Sequence, residues 1–279
     1  MKGRDTMDQM AAGFPQGNPY GLSKRRGISG STLKIIALVA MLIDHTGAVV
    51  LERILMAEGR WDATTPAELE AFMSEYGGVL LADSIMRLIG RIAFPIFCFL
   101  LVEGFLHTHS KLRYLFNMAV FAAVSEPVFD MAARGVWSDM EAQNVFFTLF
   151  LGVLTLWGIQ AAQKLQGGRA VQVLLTLAGA VAGCAAAQLL RTDYGGLGVL
   201  AVVLIYLLRG RPVVAGAAAC TALMPLSFLQ ITGYGALIPI RLYNGERGLR
   251  MKYFFYLFYP VHLLILYQVA CMLGYRYAF

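Results

Sequence analysis

The chain has 279 residues, 58% of them hydrophobic and 14% charged, with a formal net charge of +6 and a mean hydropathy of +0.63. A soluble domain is about 45–50% apolar and about a quarter charged, so one globular core cannot absorb this excess; disorder, collagen and a disulfide scaffold are excluded by the same numbers. A bilayer-crossing helix takes about 20 apolar residues. The predicted class is therefore an all-α polytopic membrane protein of about nine transmembrane helices, forming one bundle with a polar interior. No basic stripe interleaved with aromatics is present, so the positive charge does not point to a nucleic-acid partner. Cys98, Cys184, Cys220 and Cys271 each stand alone in an apolar segment, so neither a disulfide nor a metal site is expected.

In chain order, residues 1–32 read as a disordered cytoplasmic tail, with Lys24-Arg25-Arg26 ahead of the first apolar run. Asp5 and Asp8 in the tail, and Asp44 and His45 within that run, argue against a cleavable signal. Residues 33–279 form a single transmembrane domain. Its predicted spans are 33–51, 86–106, 112–133, 145–163, 170–190, 196–209, 212–227, a short 231–242 that reads as a broken or re-entrant helix, and 253–273. Lys and Arg concentrate in the loops that alternate with the N-terminus, which predicts N-terminus inside and C-terminus outside, in a bacterial cytoplasmic membrane. The extracytoplasmic loop 52–85 carries a predicted short amphipathic helix. Thr65-Pro66-Ala67-Glu68 opens it as a capping box, Leu69, Phe72 and Tyr76 share a face, and Gly77-Gly78 closes it.

Ionisable side chains at membrane depth are costly and default to function. Here they recur four apart, on one helix face, as Arg87 with Arg91, Glu103 with His107 and Glu126 with Asp130 around Pro127, and the polar pair Asn144 with Thr148 keeps the same spacing. At 1.5 Å per residue from the cytoplasmic ends, His45, Glu126 and Arg91 fall about 18–22 Å up, and His262, after Pro260, about 14 Å up. Asp130, Arg87 and Asp193 lie nearer the outer edge. Glu103 and His107 sit at the inner mouth, beside Lys111, Arg113 and the basic 241–252 loop. Asp44 and His45 are adjacent and about 100° apart on a helix, so their partners come from other helices, with Arg87 or Arg91 the nearest match in depth. Glu103 with His107 also reads as a plain interfacial pair, and Tyr256 and Tyr259 as belt aromatics on a stripe with Lys252.

A histidine flanked by carboxylates and arginines suits general-base chemistry, the cation stabilising negative charge as it develops. A proton-coupled transporter uses a similar midplane relay, and an envelope-assembly scaffold needs none; composition and spacing leave these open. No phosphate-binding loop, dinucleotide fingerprint, serine nucleophile elbow or zinc motif is present.

The run Leu33-Lys34-x-Ile36-Ala37-Leu38-x-x-Met41-Leu42-Ile43-Asp44-His45 resembles the opening span of the TraX family, the conjugative-pilin acetylases. Arg87-Leu88-Ile89-Gly90-Arg91-Ile92-Ala93-Phe94-Pro95-Ile96-Phe97 through Glu103-Gly104-Phe105 is similar to its second span. Ser125-Glu126-Pro127-x-Phe129-Asp130, Asn144-Val145-Phe146-Phe147-Thr148, Asp193-Tyr194-Gly195 and Tyr259-Pro260-x-His262-Leu263 resemble further blocks, in order. More distantly, Lys34 and His45 keep the eleven-residue spacing of an Arg and a His in the large membrane acyltransferase families, with Lys replacing Arg.

The resemblance implies an acetyl-CoA-dependent transferase acting on an extracytoplasmic acceptor, a pilin N-terminal amine in the family case and otherwise another amine or a glycan hydroxyl. On that reading His45 is the base or transient acetyl carrier, with His262 the rival, and Asp44, Arg91 and Glu126 complete the catalytic set. Arg87, Asp130, Asn144 and Asp193 would face the acceptor. Lys111, Arg113, Arg247, Arg250, Lys252, Tyr256 and Tyr259 would hold the CoA moiety. No metal is expected; membrane lipids and a pilin-like protein or glycan are the expected partners.

Overall fold

The computed structural model describes residues 26–60, 62–165, 168–249 and 252–275. Residues 1–25 of the tail expected over 1–32 and Arg250 lie outside the described residues, as does the side chain of Lys252. Every regular element among the described residues is helical.

The first rod is α1 (Gly30–Thr46), a π-helical turn (Gly47–Leu51) and α2 (Glu52–Ala57). Ser29 caps α1, its hydroxyl accepting from Thr32 N–H. Residues 28–32, expected in the tail, are built into the fold. Ile28 N–H donates to Leu242 C=O, and the first amides of the rod, Gly30 and Ser31, donate to the carbonyls of Glu246 and Arg247. The rod also outruns the predicted span at its far end, because the π turn passes the helix on into α2 without a stop.

The expected loop helix is corrected most. The capping box is present, with Glu68 N–H donating to Thr65 Oγ1 and Glu68 Oε2 accepting from Thr65 N–H. Gly77-Gly78, however, does not end the helix. α3 runs from Pro66 to Gly90 and leads, after a turn at Arg91-Ile92, into α4 (Ala93–His107). Two glycines cost a helix about 2 kcal/mol against alanine. Tertiary packing supplies most helix stability, and α3 packs along α1 and the π turn. The 42 residues of α3, the turn and α4 would reach about 63 Å if straight, twice a hydrocarbon core. Phe72 is buried and stacks on Tyr76, while Leu69 is exposed, so the expected apolar face is only partly used.

Pro95 explains the turn between α3 and α4. It has no N–H for the Arg91 carbonyl, and its ring crowds that carbonyl. Ile92 N–H then bonds back to Ile89 C=O, and the freed Leu88 carbonyl accepts from the Thr232 hydroxyl at 2.7 Å.

α5 (Lys111–Arg134) ends at Gly135 in the left-handed region, φ 75°. α6 (Val145–Gln163), α7 (Arg169–Leu189), α8 (Gly195–Leu207) and α9 (Pro212–Leu223) follow, then 3-10 turns at Met224–Leu226 and Phe228–Ala236, α10 (Leu237–Leu242) and α11 (Lys252–Met272). Among the described residues six helical rods are long and apolar enough to cross a membrane, against the nine spans expected. α8 and α9, of 13 and 12 residues, reach only about 20 Å each. Segment 231–242 is a 3-10 turn leading into the six-residue α10, and it packs against α9 and the α3–α4 turn. α4 is at the centre, packed by α1, α6, α8 and α9. Its apolar residues on every side, from Phe94 to Phe105, match a helix enclosed all round.

Candidate functional site

A cavity of about 1290 Å³ runs between α1, α4, α5, α6 and α11, larger than the 300–1,000 Å³ of an ordinary ligand pocket. Along α1 it is lined by Lys34, Leu38, Met41, Asp44 and His45. Lys34 and His45, eleven residues apart, mark positions about 16 Å apart along its wall. Around His45 the lining includes Glu52, Arg87, Arg91, Asp193, Tyr194 and Tyr259; around Lys34 it includes Glu103, His107, Arg113, Tyr243, Arg247 and Tyr256.

Glycines bring α1 and α3 together at the first of these groups. A Cβ on Gly90 would overlap the Asp44 side chain, and one on Gly47 would lie 2.9 Å from Asp83 Oδ1. This close crossing lets one carboxylate meet two guanidinium groups. Arg87 Nη1 lies 2.9 Å from Asp44 Oδ2, and Arg91 Nη2 lies 3.2 Å from Asp44 Oδ1. Arg87 Nε also reaches Glu52 Oε1 at 3.4 Å. The partners that depth matching picked for Asp44 are the ones it has. Arg91 Nε donates to the Arg87 carbonyl, which fixes the guanidinium against its own helix. The π turn begins two residues after His45, a distortion frequent at functional sites.

The structure joins the two histidines that sequence analysis set up as rivals. His45 Nδ1 and His262 Nε2 are 2.6 Å apart, with ring planes within 6°. His45 lines the cavity, while His262 is 4% exposed behind it, with Nδ1 2.7 Å from the Phe258 carbonyl. Tyr259 is buried and meets His45 edge-on at 6.0 Å. Tyr256 stacks on Phe121.

Of the expected site residues whose side chains the structure describes, five do not line the cavity: His262, Glu126, Asn144, Asp130 and Lys111. Glu126 Oε2 accepts from Asn144 N–H at 3.0 Å and also from the Asn144 side-chain amide. Asn144 caps α6, its Oδ1 accepting from Phe146 N–H, and donates to the Ala122 carbonyl beside the Pro127 distortion. Asp130 is buried and accepts from Asp139 N–H at 2.8 Å, where Arg134 and Asp139 form an ion pair at 2.6 Å. These groups hold the α5–α6 corner, and Phe146 and Tyr259 pack together between that corner and His45. Asp139 lies in that loop, and the Glu141 N–H it accepts holds its carboxyl below the ordinary value.

Toward the Lys34 end, Lys111 does not line the cavity. Its ammonium donates to the Phe105 carbonyl and sits 3.8 Å from that ring's centre. Arg113 and Arg247 do line it. Glu103 and His107 are both there but do not pair through the carboxylate. His107 Nδ1 bonds the Glu103 main-chain carbonyl, and Glu103 Oε2 accepts from the Tyr243 hydroxyl at 3.0 Å. Sequence reasoning missed Glu52, Gly47, Gly90 and Tyr243. Positions 44, 48 and 52 share a face at four-residue spacing, a signal lost by ending the first span at 51.

Fold and site together define a polytopic membrane protein whose helices form a largely apolar cavity with a histidine and an Asp–Arg cluster in its wall. The chain belongs to the TraX family, whose description, TraX protein, matches residues 29–270. It is similar to a probable fimbrial assembly protein, FimC of serogroup H1, from Dichelobacter nodosus. The two are 27% identical over 271 residues, covering 88% of this chain and 97% of that protein. No solved structure matches the chain.

Proposed function

We propose that this chain is an integral-membrane acetyltransferase that moves an acetyl group from acetyl-CoA to an amine or hydroxyl on an extracytoplasmic acceptor. The observation supporting this reading is that one cavity holds His45, the Asp44–Arg87–Arg91 cluster and, further along α1, the cations Lys34, Arg113 and Arg247. A pantetheine thioester needs such an elongated, largely apolar passage, and its nucleotide phosphates need cations at one mouth. The residues present fit that group. Lys34, Arg113 and Arg247 would hold the phosphates, with Tyr256 beside the pantetheine arm.

In the reaction the acceptor's N–H or O–H atom attacks the thioester carbonyl carbon. A C–N or C–O bond forms, the C–S bond breaks, and CoA leaves as its thiolate. His45 takes the proton that the acceptor loses. Arg87 and Arg91 supply positive potential beside the negative charge that develops. Asp44 holds both guanidinium groups in place, and Asp193, on the same wall, faces the acceptor.

A role in fimbrial assembly, as the name of the Dichelobacter protein states for that relative, favours a pilin-like acceptor. The orientation follows from the loop charges: N-terminus and basic mouth cytoplasmic, in a bacterial cytoplasmic membrane. Purified protein in nanodiscs tests the proposal. It is expected to bind acetyl-CoA and to release CoA when an amine acceptor is added. Folded protein that neither binds nor turns over acetyl-CoA overturns it.

A further inference from the structure

The histidine pair has a direction that its surroundings set. The Phe258 carbonyl can only accept, so His262 Nδ1, 2.7 Å from it, carries a proton. A second proton, on Nε2, would make His262 a buried cation. It is 4% exposed, stacks on Phe258, and has no carboxylate partner among the described residues, while Arg87 and Arg91 already place positive charge on α1's other partner. Burying an unpaired charge there is costly. His262 is therefore neutral, and its Nε2 carries a lone pair. That lone pair lies 2.6 Å from His45 Nδ1, which must be the donor. A neutral His45 with its proton on Nδ1 has a bare Nε2. That atom makes no hydrogen bond among the described residues, and the ring lines the cavity.

We propose that His262 is a positioning residue that fixes His45 as the Nδ1–H tautomer, leaving the His45 Nε2 lone pair free to act on substrate in the cavity. The chain Phe258 C=O, His262, His45 does here what a carboxylate does behind a histidine base elsewhere: it selects the tautomer and holds the ring. The inference rests on the acetyltransferase reading and deepens it by giving the two histidines different parts. When His45 Nε2 takes the acceptor's proton, Nδ1–H remains directed at His262 Nε2, which shares the new positive charge through that hydrogen bond. No further co-reactant is needed. Phe258 and Pro260 build the position. The ring of Phe258 stacks on His262, and Pro260 lies inside α11 two residues before His262.

The test has a structural arm and a kinetic arm, both on full-length protein in nanodiscs. Nitrogen-15 NMR of histidine-labelled protein, with His45 assigned by comparison with His45→Gln, is expected to show His45 as the Nδ1–H tautomer and to lose that preference in His262→Phe. In acetyl transfer, His262→Phe is expected to lower kcat about 10²-fold with an unchanged KM for acetyl-CoA. His262→Gln puts an amide oxygen where Nε2 was and is expected to restore kcat to within about 10-fold of wild type. An Nε2–H tautomer of His45 in the wild type overturns the proposal, even if His262→Phe fails to fold. So does a His262→Phe enzyme of wild-type kcat, or a His262→Gln enzyme no better than His262→Phe; each leaves the transferase reading standing. Wild-type protein with the assigned tautomer but no acetyl transfer overturns the transferase reading, and with it the catalytic half of this one.

Discussion

The α1–α3 crossing and the α5–α6 corner have the same sequence signature, ionisable residues four apart inside an apolar segment, yet the fold uses them differently. At the crossing, Arg87 and Arg91 meet Asp44 on the wall of the cavity, and His45 opens into that cavity beside them. At the corner, Glu126 and Asp130 accept main-chain N–H groups from Asn144 and Asp139 and tie a proline-distorted helix to the next helix start. Spacing tells that two side chains share a face. What that face meets is decided by which helix packs there, and the decisive feature at the crossing is a pair of glycines.

If the comparison is right, the largest stability loss belongs to the crossing. Replacing Asp44 by Ala removes the carboxylate that both guanidinium groups share and leaves Arg87 only Glu52, with each Arg side chain only 13–23% exposed. A fully buried pair broken this way costs about 3–5 kcal/mol; with partial solvent access the expected loss is about 2–3 kcal/mol, read by thermal unfolding in detergent. A loss too small to detect would remove the cluster's claim to structural weight. Gly90→Ala sharpens the same point sterically. Its new Cβ overlaps Asp44, so α1 and α3 must separate, with an expected loss of about 1–3 kcal/mol and a drop in acetyl transfer. Unchanged stability and rate would mean the close crossing is not needed.

The corner is expected to behave as a cap. Asn144→Ala should cost about 1 kcal/mol by removing the Phe146 N–H acceptor. The smallest effect is a pH dependence of the 135–144 loop. The Asp139 carboxyl is held below its ordinary value of 3.8, chiefly by the Glu141 N–H it accepts and also by Arg134. The stabilisation from a depressed carboxyl is complete above the ordinary value and is lost as pH falls through the depressed one. A spin label at position 137 should therefore show constant mobility above about pH 4 and loosening below it. Loosening centred near neutral pH would contradict the assignment.

Much of this was legible before the fold. The composition set the class, the Thr65–Glu68 box marked a true helix start, and matched depth paired Asp44 with Arg87 and Arg91. Other features were hidden for physical reasons. Gly77-Gly78 looks like a stop because local propensity disfavours glycine in helices, but α3 packs along α1, and tertiary packing supplies most helix stability. Pro95 marks the α3–α4 turn only when counted four residues back to the Arg91 carbonyl. His45 and His262 lie 217 residues apart, and straight-helix depth counting set them at similar heights, about 18 and about 14 Å, without pairing them. Depth along a helix gives height and not azimuth, so the two came to be weighed as alternatives when they are one hydrogen-bonded unit.

The most direct measurement is the initial rate of acetyl transfer by His45→Ala and Asn144→Ala, side by side in nanodiscs, with equal folding and acetyl-CoA binding verified first. The cavity histidine is expected to carry the chemistry, so His45→Ala should lose about 10²–10⁴-fold while Asn144→Ala stays within a few-fold of wild type. A His45→Ala protein that transfers acetyl at the wild-type rate, or an Asn144→Ala protein that loses as much as His45→Ala, would contradict the account.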